Sequence, residues 1–324
     1  MLAGLRIEVR SAHSAAPPSR VPGVPGDRPA GVAANDANSA SSVRRNRDRG
    51  CAGFGVLGEG LKYVYCYGFL IEFMKNLTST YIIRRLSELE MTAFGDVEFG
   101  RVFGLRGPQA HQVLHRLART GLVHRIAPGR YVLGGPGEGA AMGQPFFLAT
   151  RIVEPSYVGF WSALAYYGWT DQVPREVLVA TTRRSGRRRI GRVAVRFVRL
   201  RPARFFGYTA VREGSLEFPL AEREKSIVDA LLLPELCGGM ELVAGALQEA
   251  LPQLDRPKLE EYAMRTGVRS LASRLGHLLA ASGADSEALV AARSRAYVKL
   301  DPRGPRRGRY DSRWRVIDNL PEGA

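Results

Sequence analysis

Residues 94–135 read FGDVEFGRVFGLRGPQAHQVLHRLARTGLVHRIAPGRYVLGG, and this stretch decides the predicted fold. A short helical pattern over residues 97–103 is followed by a glycine-rich corner. Pro108 is typical of the first turn of a helix, because the N–H group that proline lacks needs no partner there. A second helix is therefore expected over residues 108–120, and Gly121 is placed to end it.

Two β-type runs follow this helix. They cover residues 122–125 and 130–133, and the intervening Ala127, Pro128 and Gly129 are typical of a hairpin turn. Helix, tight turn, helix and hairpin, in this order, predict a winged helix-turn-helix.

The second helix can be tested by the angle of about 100° between successive residues. Its apolar residues Ala110, Val113, Leu114 and Leu117 share one stripe, which should face the core. Donor-bearing side chains lie on the rest of the helix and beside the hairpin turn: Gln109, His111, Gln112, His115, Arg116, Arg119, Arg125 and Arg130. Such side chains suit base edges and phosphates, so these residues are the predicted DNA-binding set.

The alternative for this helix is an ordinary amphipathic helix with a solvated face. For a single helix, that alternative would be preferred. The complete order of helices and hairpin favours DNA binding instead.

The charge of the chain points in the same direction. The 324 residues carry a formal net charge of +16, with a pI near 10.3, which predicts a polyanionic partner. An anionic membrane surface is the rival, but no stretch reaches the ~18 apolar residues of a spanning helix. Cys51, Cys66 and Cys237 have no paired or metal-type spacing, which indicates a reducing compartment and a cytoplasmic protein.

The composition divides the chain into regions. Residues 1–73 are predicted to be disordered, or to be upstream sequence before a native start at Met74, because residues 11–50 have almost no large apolar side chains. The winged domain is expected over residues 74–137. Its first helix should be capped by Thr78 or Ser79. A glycine-rich linker is expected over residues 138–144.

Residues 145–324 are predicted to form a mixed α/β domain, which makes the whole chain α+β. A helix is expected over residues 155–169, then four strand-like runs, then helices. Residues 221–233 form a clear amphipathic pattern that Pro234 stops. The late apolar residues Trp314, Val316 and Ile317 predict a closing segment that folds back onto the domain.

A dense basic segment lies between two of these predicted strands. It is expected to be a loop that carries Arg183, Arg184, Arg187, Arg188 and Arg189. Its positive field suits phosphate groups, whereas a solvated loop without function is the equal alternative.

Signatures of enzymes and cofactor sites are missing. The sequence has no Walker loop, no dinucleotide-binding glycine motif after a strand and no nucleophile elbow. Glu222, Glu224 and Asp229 lie among basic residues and are interpreted as surface ion pairs. His111 and His115 have the spacing of a zinc helix, but Gln112 replaces the required general base. We therefore expect neither an enzyme nor a bound metal or cofactor.

These patterns together resemble a known family. A winged helix followed by SALAYYGWTDQVPREVLVATTRR, REGSLEFPLAEREKSIVDALLLP and a closing YVKLDP with a late tryptophan resembles the AbiEi-type antitoxins, over residues 76–319. These are transcriptional regulators of type IV toxin–antitoxin and phage-defence operons. The resemblance implies a bacterial repressor of its own operon that binds repeats in double-stranded DNA through residues 108–120, with residues 122–133 as the wing.

The resemblance further implies that the C-terminal domain counteracts a nucleotidyltransferase toxin. Two other functions compete with this expectation. The first is an RNA-binding module that uses the basic segment at residues 183–189. The second is a nuclease or nucleotidyltransferase, against which the missing pair of acidic metal ligands counts.

Overall fold

The computed structural model describes residues 77–134, 139–172 and 174–321, and these form a mixed α/β protein of helices and three sheets. The predictions for residues 1–73 lie outside the described residues.

The first part of the described chain has three helices and a small sheet. The elements are α1 (Ser79–Glu88), β1 (Ala93–Gly95), α2 (Asp96–Val102), α3 (Gly107–Arg119), β2 (Val123–Ala127) and β3 (Arg130–Leu133). The strands are antiparallel in the order β1-β3-β2. The helix and the hairpin expected from residues 94–135 are therefore present, α3 beginning at Gly107 and ending one residue before Thr120.

The core of this part is apolar. The Thr78 hydroxyl caps α1 by accepting the N–H of Tyr81 at 3.3 Å, and Ile82 and Leu86 point inward from that helix. Phe99 of α2 and Phe103 just after it pack in a tilted arrangement, with 4.7 Å between ring centroids. Burial of the apolar side chains of the helices and strands stabilises this part of the chain, and none of its charged side chains is buried.

The predicted linker contains ordered structure. It holds the short helix α4 (Gly139–Gly143), and α5 (Pro145–Ile152) follows directly. Ala141 of α4 is buried in the same cluster as Ile126 and Val132 of the hairpin. Composition alone predicted flexibility here, but small residues also allow close packing against a neighbouring surface.

A six-stranded sheet forms the centre of the second part. Its strands are β4 (Ser156–Val158), β5 (Val177–Thr181), β6 (Gly186–Ile190), β7 (Val193–Arg199), β8 (Tyr208–Glu213) and β9 (Leu216–Ala221). Their order is β6-β7-β5-β4-β9-β8, so β6 and β8 are the edges. The pairs β5–β7 and β4–β9 are parallel and the other pairs are antiparallel.

One predicted helix is divided in the structure. Residues 155–169 were expected to be a single helix, whereas β4 precedes a shorter helix, α6 (Phe160–Tyr166). Tyr157 and Val158 are fully buried because β4 pairs with β5 on one side and β9 on the other. The prediction of one helix was wrong because tertiary strand pairing overrides a helical spacing of apolar residues.

Helices and a small closing sheet complete this part. The helices are α7 (Arg223–Leu232), α8 (Met240–Ala250), α9 (Arg256–Arg265), α10 (Arg269–Ala281) and α11 (Glu287–Ala292). The closing strands are β10 (Val298–Lys299), β11 (Arg309–Asp311) and β12 (Val316–Asp318), in the order β10-β12-β11. Trp314 is buried against Gly276 of α10, where an added Cβ would come within 2.1 Å of the indole ring. The expected fold-back of the tail is confirmed.

The interpretation of Glu222, Glu224 and Asp229 as surface ion pairs was wrong for Glu224 and Asp229, which are both buried. Lys225 and Asp229 are both fully buried and form an ion pair within the helix. The Tyr157 hydroxyl donates to the second carboxylate oxygen of Asp229 at 2.8 Å. Burial raises the pKa of Asp229, and the Lys225 charge opposes that rise. Local sequence cannot reveal this burial, because an i,i+4 pair looks the same on a wet face.

Candidate nucleic-acid interface

The position of α3 is set by its ends and its buried stripe. Pro108 lies in the first turn, and the Gln109 side-chain oxygen accepts the N–H of Arg106 at 3.0 Å, which closes the N-terminus. Gly121 has φ of +72° just after the helix, a conformation that favours glycine. The predicted stripe of Ala110, Val113, Leu114 and Leu117 is buried. The opposite face must therefore point away from the core.

Three of the predicted DNA-binding side chains on α3 are exposed and unengaged. Gln112, His115 and Arg119 make no hydrogen bond or ion pair with any described residue. Their spacing of three and four residues places them on one face of the helix. An amide, an imidazole and a guanidinium on one exposed face can form hydrogen bonds with base edges and phosphates.

The other three predicted side chains on α3 have partners inside the protein. Gln109 caps the helix, as described above. Nε2 of His111 lies 3.0 Å from Oδ2 of Asp96, and Arg116 donates through Nη2 to the Leu77 carbonyl oxygen at 3.0 Å. These side chains hold α3 against its surroundings, so their capacity for outside contacts is smaller than that of the unengaged set.

Asp96 joins the hairpin turn to α3. Its backbone N–H donates to the Gly129 carbonyl at 3.0 Å, while its carboxylate binds His111. The hydrogen bond from His111 lowers the pKa of Asp96, although burial opposes this. Gly129 has φ of +68°, and a Cβ there would lie 3.1 Å from the carboxylate. The turn of the β2–β3 hairpin is therefore fixed relative to α3.

The two predicted arginines of the hairpin differ in their surroundings. Arg125 is exposed and unpaired among the described residues. Arg130 forms an ion pair with Glu154, with 2.9 Å between Nη2 and Oε2. Arg125 is consequently the hairpin arginine with a guanidinium available to an outside anion.

The dense basic segment is not a loop throughout, as was predicted. Gly186–Ile190 is the edge strand β6, which pairs antiparallel with β7. Arg187, Arg188 and Arg189 are exposed on it, and Arg183 and Arg184 are exposed just before it. The prediction failed because arginine does not by itself mark a turn, and pairing with β7, whose Val195 and Phe197 are buried, makes the segment extended.

Partners inside the protein engage two arginines of this segment, a carboxylate for Arg187 and a backbone oxygen for Arg183. Arg187 binds Glu176 through Nε at 3.1 Å, and Nε of Arg183 donates to the Glu154 carbonyl oxygen at 3.3 Å. Arg184, Arg188 and Arg189 have no acidic partner in the part of the chain that the structure describes. These three carry charge that an outside polyanion could neutralise.

Glu154 is shared by the hairpin and the basic segment. Its carboxylate binds Arg130 of β3, and its backbone oxygen binds Arg183. The two basic regions therefore meet at one residue. Arg130 of the hairpin and Arg183 beside β6 lie next to the same residue.

Sequence reasoning missed Arg106, which is exposed beside the N-terminus of α3. Its side chain makes no hydrogen bond or ion pair with a described residue. Its place directly before Gly107 and Pro108 was the available signal, because a helix N-terminus attracts anions.

The described residues contain no group of three or more His, Cys, Asp or Glu side chains that could hold a metal ion. Within the same ranges, no helix has the length and apolar character needed to cross a membrane.

Comparisons with known proteins leave the family open. No family model matches the chain, and no curated protein is significantly similar to it in sequence. Among solved structures, the chain is similar to the crystal structure of the RV2827C protein from Mycobacterium tuberculosis. The TM-score is 0.47 and the identity is 14%, with 75% of this chain and 91% of that chain covered. At this level, the similarity carries no conclusion about function.

Proposed function

We propose that residues 77–134 are a winged helix-turn-helix that binds double-stranded DNA. In this proposal α3 enters the major groove and the β2–β3 hairpin is the wing. One observation carries the proposal: Gln112, His115 and Arg119 are exposed and unengaged on one face of α3, while its other face is buried. Asp96 and His111 hold the hairpin turn next to α3, as docking of both elements on one duplex requires.

Specificity would come from α3. A glutamine amide can bind adenine through two hydrogen bonds, and a guanidinium can bind guanine or phosphate. Gln112 is the side chain best suited to read a base, because both its donor and its acceptor are uncommitted among the described residues. Arg119 and Arg125 would bind the flanking backbone.

The experiment is selection from a random duplex library with full-length protein. The unsubstituted chain should enrich a defined motif. The variant with Gln112→Ala, His115→Ala and Arg119→Ala should enrich none while it keeps weak, salt-sensitive binding. Arg212→Gln is the matched control, because Arg212 lies on β8 and pairs with Glu217 at 3.4 Å. If the triple variant enriched the same motif, α3 would not be the helix that contacts the bases.

We further propose that the protein represses its own operon and counteracts a nucleotidyltransferase toxin encoded beside it. This part rests on the resemblance of residues 76–319 to AbiEi-type antitoxins. Co-expression with the product of the adjacent gene tests it: growth should be rescued by residues 145–324 and not by residues 74–137. Toxicity relieved by the first segment alone would contradict the assignment of neutralisation to the second part.

RNA binding is the second candidate function, because the exposed arginines of β6 can contact RNA phosphates as well as DNA phosphates. A basic strand contacts phosphates without distinguishing DNA from RNA. Competition of a labelled duplex with RNA hairpins of equal length separates the candidates. The proposal requires that the motif-bearing duplex compete better than the hairpins.

A further inference from the structure

The chain that leads from β10 into β11 carries a further group of basic side chains, distinct in sequence from those of α3 and β6. Four of its side chains, Arg303, Arg306, Arg307 and Arg309, are exposed. None of these guanidinium groups makes a hydrogen bond or an ion pair with a described residue. We call these four residues the C-terminal arginines.

An exposed aromatic side chain directly follows the C-terminal arginines in the sequence. Tyr310 of β11 is 59% exposed, which is unusual for so large a side chain. Its ring meets the ring of Tyr297 at 5.2 Å with an interplanar angle of 66°. Cζ of Arg315 lies 5.9 Å from the Tyr297 ring centroid. Arg315, Tyr297 and Tyr310 thus form a short ladder that leaves the outer tyrosine open.

Nearby acidic groups are engaged elsewhere. Asp311 and Asp318 lie 2.7 and 3.4 Å from the two ring nitrogens of His277. Asp301 accepts the backbone N–H of Arg303 at 2.9 Å and forms no ion pair with the guanidinium groups of the C-terminal arginines. By contrast, Arg313 on the next turn pairs with Glu287 at 2.8 Å and also with Asp285. Among the described residues, no carboxylate therefore compensates the charges of the C-terminal arginines, whereas two carboxylates compensate the charge of Arg313.

We propose that Tyr310 and the C-terminal arginines bind single-stranded nucleic acid. An unpaired base stacks on the exposed ring of Tyr310, and the arginines bind the phosphates on either side of it. Stacking of this kind tolerates any base, because every base has a π face. The inference stands on its own and does not depend on DNA reading by α3.

A single strand fits this surface better than a duplex. Bases in a duplex are already stacked on one another, so an open tyrosine ring offers them nothing. The closing sheet consists of three short strands and presents no helix that could enter a major groove.

Fluorescence anisotropy with full-length protein tests the proposal, using labelled oligo(U), oligo(dT) and a duplex. Tyr310→Ala should weaken binding of the single strands by about tenfold, as expected for one lost stacking contact. Tyr310→Phe should bind as the unsubstituted chain does, because the hydroxyl has no partner among the described residues and the ring is retained. Preference between oligo(U) and oligo(dT) identifies RNA or DNA as the ligand.

The arginines are tested by a matched pair of variants. Arg306→Gln with Arg307→Gln should reduce single-strand affinity and its salt dependence, whereas Arg313→Gln should change neither. Thermal unfolding checks that each variant folds. The proposal is overturned if Tyr310→Ala binds single strands normally, or if it weakens duplex binding by the same factor. If the α3 variants do not alter DNA motif selection, the proposed function of α3 fails, but the proposal for Tyr310 and the C-terminal arginines still stands.

Discussion

Helix α3 and strand β6 both expose basic side chains, but they present them differently. On α3, an amide, an imidazole and arginines share one face, and half of the predicted set is tied to the protein. On β6, arginines follow one another along an open sheet edge. Net charge determines how strongly a surface attracts a polyanion. It does not determine whether that surface can distinguish one sequence from another.

The physical reason lies in the chemistry of the contacts. Phosphates are alike at every step of a duplex, so a row of arginines gains the same interaction anywhere. Base edges differ in their donors and acceptors, and only a rigidly held side chain can exploit that difference. The bonds from Asp96 to His111 and to the Gly129 carbonyl supply that rigidity at α3.

The largest expected effect is on β6. Replacing Arg184, Arg188 and Arg189 by Gln should weaken specific and random duplexes by a similar factor, about 100-fold at low salt. The slope of log affinity against log salt should fall by about three units, because each contact contributes about 0.9. Titrations at several salt concentrations measure both quantities.

The matched control for β6 is Arg187→Gln. This arginine is already paired with the Glu176 carboxylate, so the loss per arginine should be much smaller. An equal loss per arginine in both variants would mean that the internal partner does not matter. If only the specific duplex lost affinity, β6 would distinguish sequences, and the proposed difference between β6 and α3 would not hold.

A smaller effect is expected for Gln112→Ala on α3. It should cost about 1–3 kcal/mol on the selected motif and nothing on random DNA, because a base contact is lost and no charge is removed. Paired titrations with motif and scrambled duplexes measure this difference. Equal losses on both duplexes would make Gln112 a backbone contact.

Arg119 and Arg116 should differ although both are exposed on α3. Arg119→Ala should lower the salt slope by about one unit. Arg116→Ala should instead reduce the free energy of unfolding by about 1 kcal/mol, because the Leu77 carbonyl loses its donor. Salt titration and denaturant unfolding of both variants decide the matter, and identical behaviour would refute the distinction.

The smallest expected effect concerns Asp96. Its pKa is lowered in the folded protein, chiefly by His111, so its ionised form stabilises the fold. Asp96→Asn should cost less than about 1 kcal/mol at neutral pH, since the pair is near the surface. This difference should shrink as the pH falls below the ordinary value of 3.8, where Asp96 becomes protonated. Thermal unfolding across acid pH measures it, and a constant difference would exclude the His111 bond as the cause.

Local patterns were enough for α3 and the hairpin. The apolar period predicted the buried stripe, and proline and glycine marked the ends of the helix. These features act over a few residues, so they can be read without a structure. The same reasoning failed at β4 and at β6, where partner strands imposed extended backbone.

The functional residues were only partly predictable. Sequence placed polar side chains on the free face of α3, but it could not tell which were engaged. The partners of His111, Arg116 and Arg130 lie 15, 39 and 24 residues away in the chain. The sequence did not single out the C-terminal arginines. The arrangement of the tyrosines beside them depends on the pairing of β11 with β12.

The sequence by itself determined the order of helices and hairpin, the buried face of α3 and the positive charge of the chain. Each of these depends on the period of apolar residues or on composition, which are local or additive properties. The tertiary structure alone decided that Lys225 and Asp229 are buried, that Arg187 is paired and that Arg184, Arg188 and Arg189 are exposed without acidic partners among the described residues. Burial and pairing depend on segments distant in the chain, and their approach is set by the packing of the whole core.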